Sequence, residues 1–152
     1  MLSSASQYAI RSILYLAMYT DESNKVGAKK IADDLEVPQP FLAKLLQQLT
    51  KTGLISSTKG PKGGFFLEER GREKSVWDVV KSIDGEDKFD QCFMGLAKCS
   101  DENPCPVHFI VSPFKGKILY EFKEKTIDEF VKKIKLSNKR ISLKDLDILE
   151  TD

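Results

Sequence analysis

The sequence predicts a mainly α chain with one small β-hairpin, ending in a long helix. Three observations carry this prediction. Apolar residues recur three and four positions apart along most of the 152 residues. One stretch, Leu54 to Leu67, combines strand-forming residues with a glycine-rich turn. Residues 86–106 have no periodicity and hold all three cysteines.

Ser3 to Tyr19 reads as the first helix, with Tyr8, Ala9, Ile13, Leu16 and Ala17 at helical spacing and Ser3 or Ser4 as its N-cap. Asp21 to Lys25 is a polar loop. Ala28 to Leu35 is a short helix with Ile31, Ala32 and Leu35 on one face. Val37-Pro38-Gln39-Pro40 is a tight turn, because two prolines in three residues cannot continue a helix. Pro40 is tolerated in the first turn of the next helix, which runs from about Gln39 to Thr52. Phe41, Leu42, Leu45, Leu46 and Leu49 form its inward stripe, and Gly53 ends it. Leu54 to Lys59 is a strand, Gly60-Pro61-Lys62-Gly63-Gly64 a turn, and Phe65-Phe66-Leu67 the returning strand. Helix, helix, tight turn, helix, hairpin is the order of a winged helix-turn-helix.

Residues 68–85 read as a charged connector, Glu68 to Lys74, followed by a helix, Val76 to Ile83, capped by Ser75 and broken at Asp84-Gly85. A loop as long as 86–106 points to a function or to ordering by a ligand. Residues 107–135 hold a long helix to about Lys125, with Ile110, Val111, Phe114, Ile118, Leu119 and Phe122 three or four apart. Pro113 inside it predicts a kink or a later start. Thr126 caps one more helix, Ile127 to Ile134, and 136–152 is a charged tail. The domain plan is thus a winged unit over 1–67, a connector over 68–85, a cysteine loop over 86–106, a helical arm over 107–135 and the tail.

Apolar residues make up 41% and charged residues 31%, as in ordinary soluble proteins. No apolar run approaches the roughly 20 residues of a membrane span. The N-terminus lacks the organisation of a secretory leader. A cytoplasmic protein with no membrane partner is therefore expected. No Ser/His/Asp grouping suggests catalysis, so no enzymatic activity is expected.

A net charge of +1 excludes a wholly basic nucleic-acid coat, but the charge is unevenly placed. Val37 to Leu67 contains no Asp or Glu, yet holds Lys44, Lys51, Lys59 and Lys62. Such a stretch can sit on phosphate while the chain stays neutral; a solvated lysine face would look the same by charge alone. On the third helix Gln39, Gln47 and Gln48 are amides suited to adenine edges, and Lys44 and Lys51 to guanine or phosphate. On the wing Thr58, Lys59 and Lys62 add donors, and Gly60 and Gly63 offer bare amides to a closely approaching phosphate.

Cys92, Cys99 and Cys105 are separated by six and five residues, and the only histidine, His108, follows the last by three. An odd cysteine count in a chain with no secretory signal argues against a disulfide scaffold. Thiolates and imidazole suit iron–sulfur clusters or zinc. Spacing alone leaves iron–sulfur, zinc and free thiols open.

Tyr8-Ala9, Ile31-Ala32, Phe41-Leu42, Lys51-Thr52-Gly53-Leu54-Ile55 and Ser57-Thr58-Lys59-Gly60-Pro61-Lys62-Gly63-Gly64-Phe65 together resemble the Rrf-two family of transcription regulators. That group includes iron–sulfur regulators and nitric oxide sensors. The resemblance covers residues 2 to about 134, and the Gly-Pro-x-Gly-Gly wing is its most specific part. It implies a homodimer joined through the long helix after the cysteines, each winged unit meeting one half of a pseudo-palindromic operator in double-stranded DNA. It further implies a [2Fe–2S] cluster on Cys92, Cys99, Cys105 and His108. Some members take a ligand from an acidic residue near the N-terminus, but Gln7 and Tyr8 stand there, which favours His108. Ala43 and Pro40 replace an acidic residue and a small hydroxyl found in some members, so their base selectivity does not carry over. The alternatives are a regulator with reactive thiols or zinc, and an iron–sulfur electron carrier or assembly factor.

Overall fold

The computed structural model describes residues 1–138. In chain order they form α1 (Ser4–Tyr19), α2 (Ala28–Leu35), α3 (Gln39–Lys51), β1 (Ser56–Thr58), β2 (Gly64–Phe66), α4 (Glu69–Arg72), α5 (Val76–Asp84), a single 3-10 turn (Lys88–Asp90), α6 (His108–Glu124) and α7 (Ile127–Ser137).

The core is built around α1. Ala9, Ile13 and Leu16 are fully buried, as are Ser6 and Ser12, and the helix packs against α2, α3, α5 and α7. Both ends of α1 are tied down by the segment that follows the hairpin. At the N-terminus Ser3 accepts a hydrogen bond from the Ser6 N–H at 3.0 Å. The Ser3 N–H and hydroxyl in turn donate to the two carboxylate oxygens of Asp84, at the end of α5. At the C-terminus Arg72 donates to the carbonyls of Ala17 at 2.6 Å and Thr20 at 3.0 Å. A cation at a helix C-terminus satisfies carbonyls that have no partner within the helix.

α2 ends at Glu36, which adopts the left-handed conformation at φ 54°. Arg11 donates to the Leu35 carbonyl at 2.7 Å, closing that end against α1. α3 buries Leu42, Leu45, Leu46 and Leu49 as the stripe predicts. Phe41 departs from the expectation. It lies at the edge of the stripe, one position before the fully buried Leu42, and stays exposed, its ring edge-on to Tyr8 at 5.5 Å.

β1 and β2 pair antiparallel, with Ser57 opposite Phe65. The first strand is shorter than the sequence suggests and the second is displaced by one residue, for identifiable reasons. The Leu54 and Ile55 N–H groups donate to the Leu49 carbonyl and so close α3 instead of joining the ladder. The Leu67 N–H leaves the ladder for the Thr20 hydroxyl at 3.1 Å. Val26 joins the hairpin through reciprocal bonds with Phe65 of 3.0 and 2.8 Å, an added rung inside what reads as a loop boundary.

The charged connector contains the short helix α4. α5 begins with a full capping box between Ser75 and Asp78. α6 runs through Pro113 as one helix from its first turn, so the expected later start is not observed. α7 extends to Ser137 and is closed by Asn138 in the left-handed conformation, so 136–137 belong to it and not to a tail. The rest of the predicted tail, 139–152, lies outside the described residues.

Burial works against the Asp84 carboxylate, but its hydrogen bonds from Ser3 and the charge of Lys88 prevail and hold it below the ordinary 3.8. A carboxyl depressed in the folded state contributes stability that is complete above its unfolded value and is lost as pH falls through the folded one. Asp84→Asn is expected to cost about 1–3 kcal/mol at neutral pH and to flatten the acid limb of the stability curve, both measurable by urea unfolding across a pH series.

Candidate DNA-binding surface and cysteine loop

The four leucines that hold α3 against the core leave Gln39, Lys44, Gln47 and Lys51 exposed. Thr58, Lys59, Gly60 and Lys62 are exposed on the hairpin, and Gly63 is half-buried. No carboxylate interrupts the sequence between them. Gln48 is exposed but differently engaged: its amide donates to the Ser82 carbonyl of α5 at 2.8 Å. Thr52, one turn on, lies 3.2 Å from the Ser82 hydroxyl. Gln48 therefore links α3 to α5.

The wing turn is close-packed on itself. Gly63 donates to the Gly60 carbonyl at 2.9 Å. A Cβ at Gly63 would lie 2.3 Å from the Thr58 carbonyl oxygen, and one at Gly64, at φ 148°, would lie 2.8 Å from the Val26 carbonyl. Lys25, which reads in the sequence as part of a polar loop, places its ammonium over the Phe66 ring at 5.1 Å, at the base of the wing.

The cysteine loop is anchored before its first cysteine. Phe89 is buried edge-on between Trp77 of α5, at 5.7 Å, and Phe122 of α6, at 6.3 Å. Beyond it the predicted ligands fall into two adjacent pairs. Cys99 Sγ lies 3.5 Å from Nδ1 of His108, the first residue of α6. The other His108 nitrogen, Nε2, is 2.6 Å from Asp101 Oδ1. The Cys105 side chain lies close enough to the buried Cys92 to act on its thiol. The N–H of Met94 aimed at Cys92 holds its thiol below the usual range. Burial opposes this, and the Leu96 N–H, Cys105 and Lys115 add to it. Among the described residues no three His, Cys, Asp or Glu side chains converge on one point that could hold a single metal ion. A cleft of roughly 230 Å³ adjoins the Cys99–His108 pair, lined by Phe89, Asp90, Asp101, Ser112, Lys115 and others.

α6 divides its apolar residues between two faces. Ile118, Leu119 and Phe122 pack against the core, whereas Phe109, Ile110, Phe114 and Tyr120 are exposed. No helix among the described residues is long and apolar enough to cross a membrane.

The sequence profile of the Rrf2 (Rrf-two) family, described as an iron-dependent transcriptional regulator, matches residues 2–133. This chain belongs to the Rrf2 family. An HTH-type transcriptional regulator of Aquifex aeolicus is 35% identical over 131 residues, covering 85% of this chain and 90% of that protein. The HTH-type transcriptional regulator IscR of Pectobacterium atrosepticum is 27% identical over 130 residues, covering 86% of this chain and 78% of the relative. Among solved structures, CymR, the global cysteine regulator of B. subtilis, superposes with a TM-score of 0.68 at 18% identity, over 87% of this chain and 96% of that one. The fold is the winged helix-turn-helix arrangement of these regulators.

Within this Rrf2 chain two residues beside the thiols escape sequence reading. Asp101 carries no signal by spacing. Lys115 does, because it lies seven residues after His108 and so two turns along the same face of α6.

Proposed function

We propose that this Rrf2 chain is a homodimeric, DNA-binding transcription regulator whose hold on a pseudo-palindromic operator depends on a [2Fe–2S] cluster at Cys92, Cys99, Cys105 and His108. The observation that carries the cluster is the two-by-two grouping of the donors. Each iron of such a cluster asks for two protein ligands, whereas a structural zinc ion asks for three or four donors converging on one point. Three thiols and one imidazole in adjacent pairs fit the former. His108 would ligate through Nδ1, the nitrogen facing Cys99, with its other nitrogen oriented by Asp101. When bound, the cluster would supply two irons that join the loop to the first turn of α6.

The chain's own contacts supply a route from that loop to DNA. Asp84 closes α1, Lys88 lies 3.9 Å from Asp84, and Phe89 locks the loop between α5 and α6. Two residues before Asp84, the Ser82 carbonyl holds Gln48 of α3. Ordering the loop therefore bears on α5, and α5 on the recognition helix. Gln39, Lys44, Gln47 and Lys51 would face the major groove, while Thr58, Lys59, Gly60, Lys62 and Gly63 meet the backbone. Gln48 serves as the brace behind them.

A second reading has its own support. Cys105 lies near Cys92, and oxidation of the two by a peroxide would form a disulfide with release of two protons and two electrons to the oxidant. That would make the same loop a thiol switch without iron.

The DNA surface is tested first. Lys59→Ala and Lys62→Ala are expected to weaken binding to every sequence and to lower the log–log salt slope by about one unit for each phosphate no longer neutralised. Unchanged affinity and slope in both would remove the wing from the interface. For the dimer, Ile110→Glu and Phe114→Glu on the exposed face of α6 should give monomers in sedimentation, with loss of binding to a two-half-site operator but retained folding. A wild type that sediments as a monomer at micromolar concentration counts against this. For the cluster, anaerobic reconstitution should load iron and sulfide in wild type, and Cys92→Ala, Cys99→Ala and Cys105→Ala should each lose both. His108→Ala should hold the cluster loosely or not at all. Equal loading in all four variants sinks the cluster and leaves the thiol reading.

A further inference from the structure

Lys115 is the anomaly of the buried interior. It sits midway along α6 and is 6% exposed, the only buried lysine among the described residues. Its ammonium donates to the backbone carbonyl of Gln91 at 2.6 Å. None of the ion pairs among the described residues includes it, although Asp90 and Asp101 line the same cleft. An ammonium taken out of water without a fixed counter-charge is costly, and a protein retains one where opposite charge arrives. The carbonyl that Lys115 holds belongs to the peptide leading into Cys92, and Lys115 lines one cleft with Cys99 and His108. The side chain thus stands among three of the four proposed ligands.

We infer that Lys115 is the built-in counter-charge of the cysteine site, a buried cation placed to balance the negative charge of a loaded cluster. The inference rests on the cluster reading above. An oxidised two-iron centre carries two positive charges from iron and sulfide. Three thiolates and a neutral imidazole bring it to one net negative charge, and one-electron reduction adds another. A cation a few ångströms away favours the loaded state over the empty one, and the reduced state over the oxidised one. The same hydrogen bond draws the Cys92 peptide onto α6, so charge and placement act together.

A counter-charge makes opposite demands on the empty and loaded protein, which a merely structural lysine would not. The test uses the full chain as wild type, Lys115→Met and Lys115→Arg, reconstituted anaerobically with iron and sulfide. In the metal-free protein Lys115→Met is expected to unfold at the same temperature as wild type or higher, because an uncompensated buried charge is gone. Once loaded, Lys115→Met should surrender its cluster to a chelator on the order of tenfold faster. Its reduction potential, read by dye-mediated titration, should move negative. Lys115→Arg, which keeps the charge and a donor, should stay near wild type in both. A lower unfolding temperature for metal-free Lys115→Met, or a potential and chelator rate equal to wild type, overturns the role of Lys115 and leaves the cluster standing. A wild type that takes up neither iron nor sulfide overturns the cluster reading, and this inference falls with it.

Discussion

The rest of the molecule depends on how α1 is held. A helix buried on most sides cannot leave its end groups unpaired, because water does not reach them. Here a single stretch of chain meets that demand at both ends: Arg72 at one and Asp84 at the other, twelve positions apart in sequence. The stretch between them carries α5, whose Val76, Val79 and Val80 pack into the core. One end of this brace starts at the root of the wing, where Leu67 bonds Thr20, and the other opens directly into the cysteine loop. The proposed DNA-facing elements and the thiol-bearing loop are therefore attached to opposite ends of the same clamp.

That arrangement explains why the two functional regions look so different. The α3–wing surface is preformed: its leucines are buried, its hairpin is hydrogen-bonded, and its polar residues project from a rigid base. The loop is pinned at Phe89, at Lys115 and at His108, with exposed Phe93, Met94 and Leu96 between. Apolar side chains left in solvent on a loop mark a segment that lacks part of its packing. On the proposed function, a preformed reader is joined to a less completely packed sensor.

Much of this was legible in the sequence, because the signals concerned are local. The leucine stripe of α3, the two prolines before it, the Ser75 cap and the glycine turn each act within a few residues, and each element appears where those residues put it. What was not legible depends on distant partners. Nothing local distinguishes Gln48 from Gln47, yet a carbonyl on α5 claims one and not the other. Phe41 fits the apolar period but lies at the edge of the buried face, beside the fully buried Leu42. The strand boundaries differ from the expected ones because Leu54, Ile55 and Leu67 have the residue types of a strand while their N–H groups are claimed by α3 and Thr20. Asp101 gains meaning only when α6 and the loop are folded together.

The close packing of the wing tip has a bearing on how variants of this protein are read. Gly63 and Gly64 stand between Lys62 and Phe65, in the middle of the surface assigned to phosphate. Any side chain at either position collides with backbone, at Thr58 or at Val26, before a nucleic acid is present. A survey that scored only repression or activation would record these glycines as among the most sensitive residues of the wing. It would invite the conclusion that they are the principal contacts. Their sensitivity would instead report the shape of the loop, and would say nothing of the more permissive Lys59 and Lys62 that precede them. Sensitivity and proximity to DNA are separate quantities here.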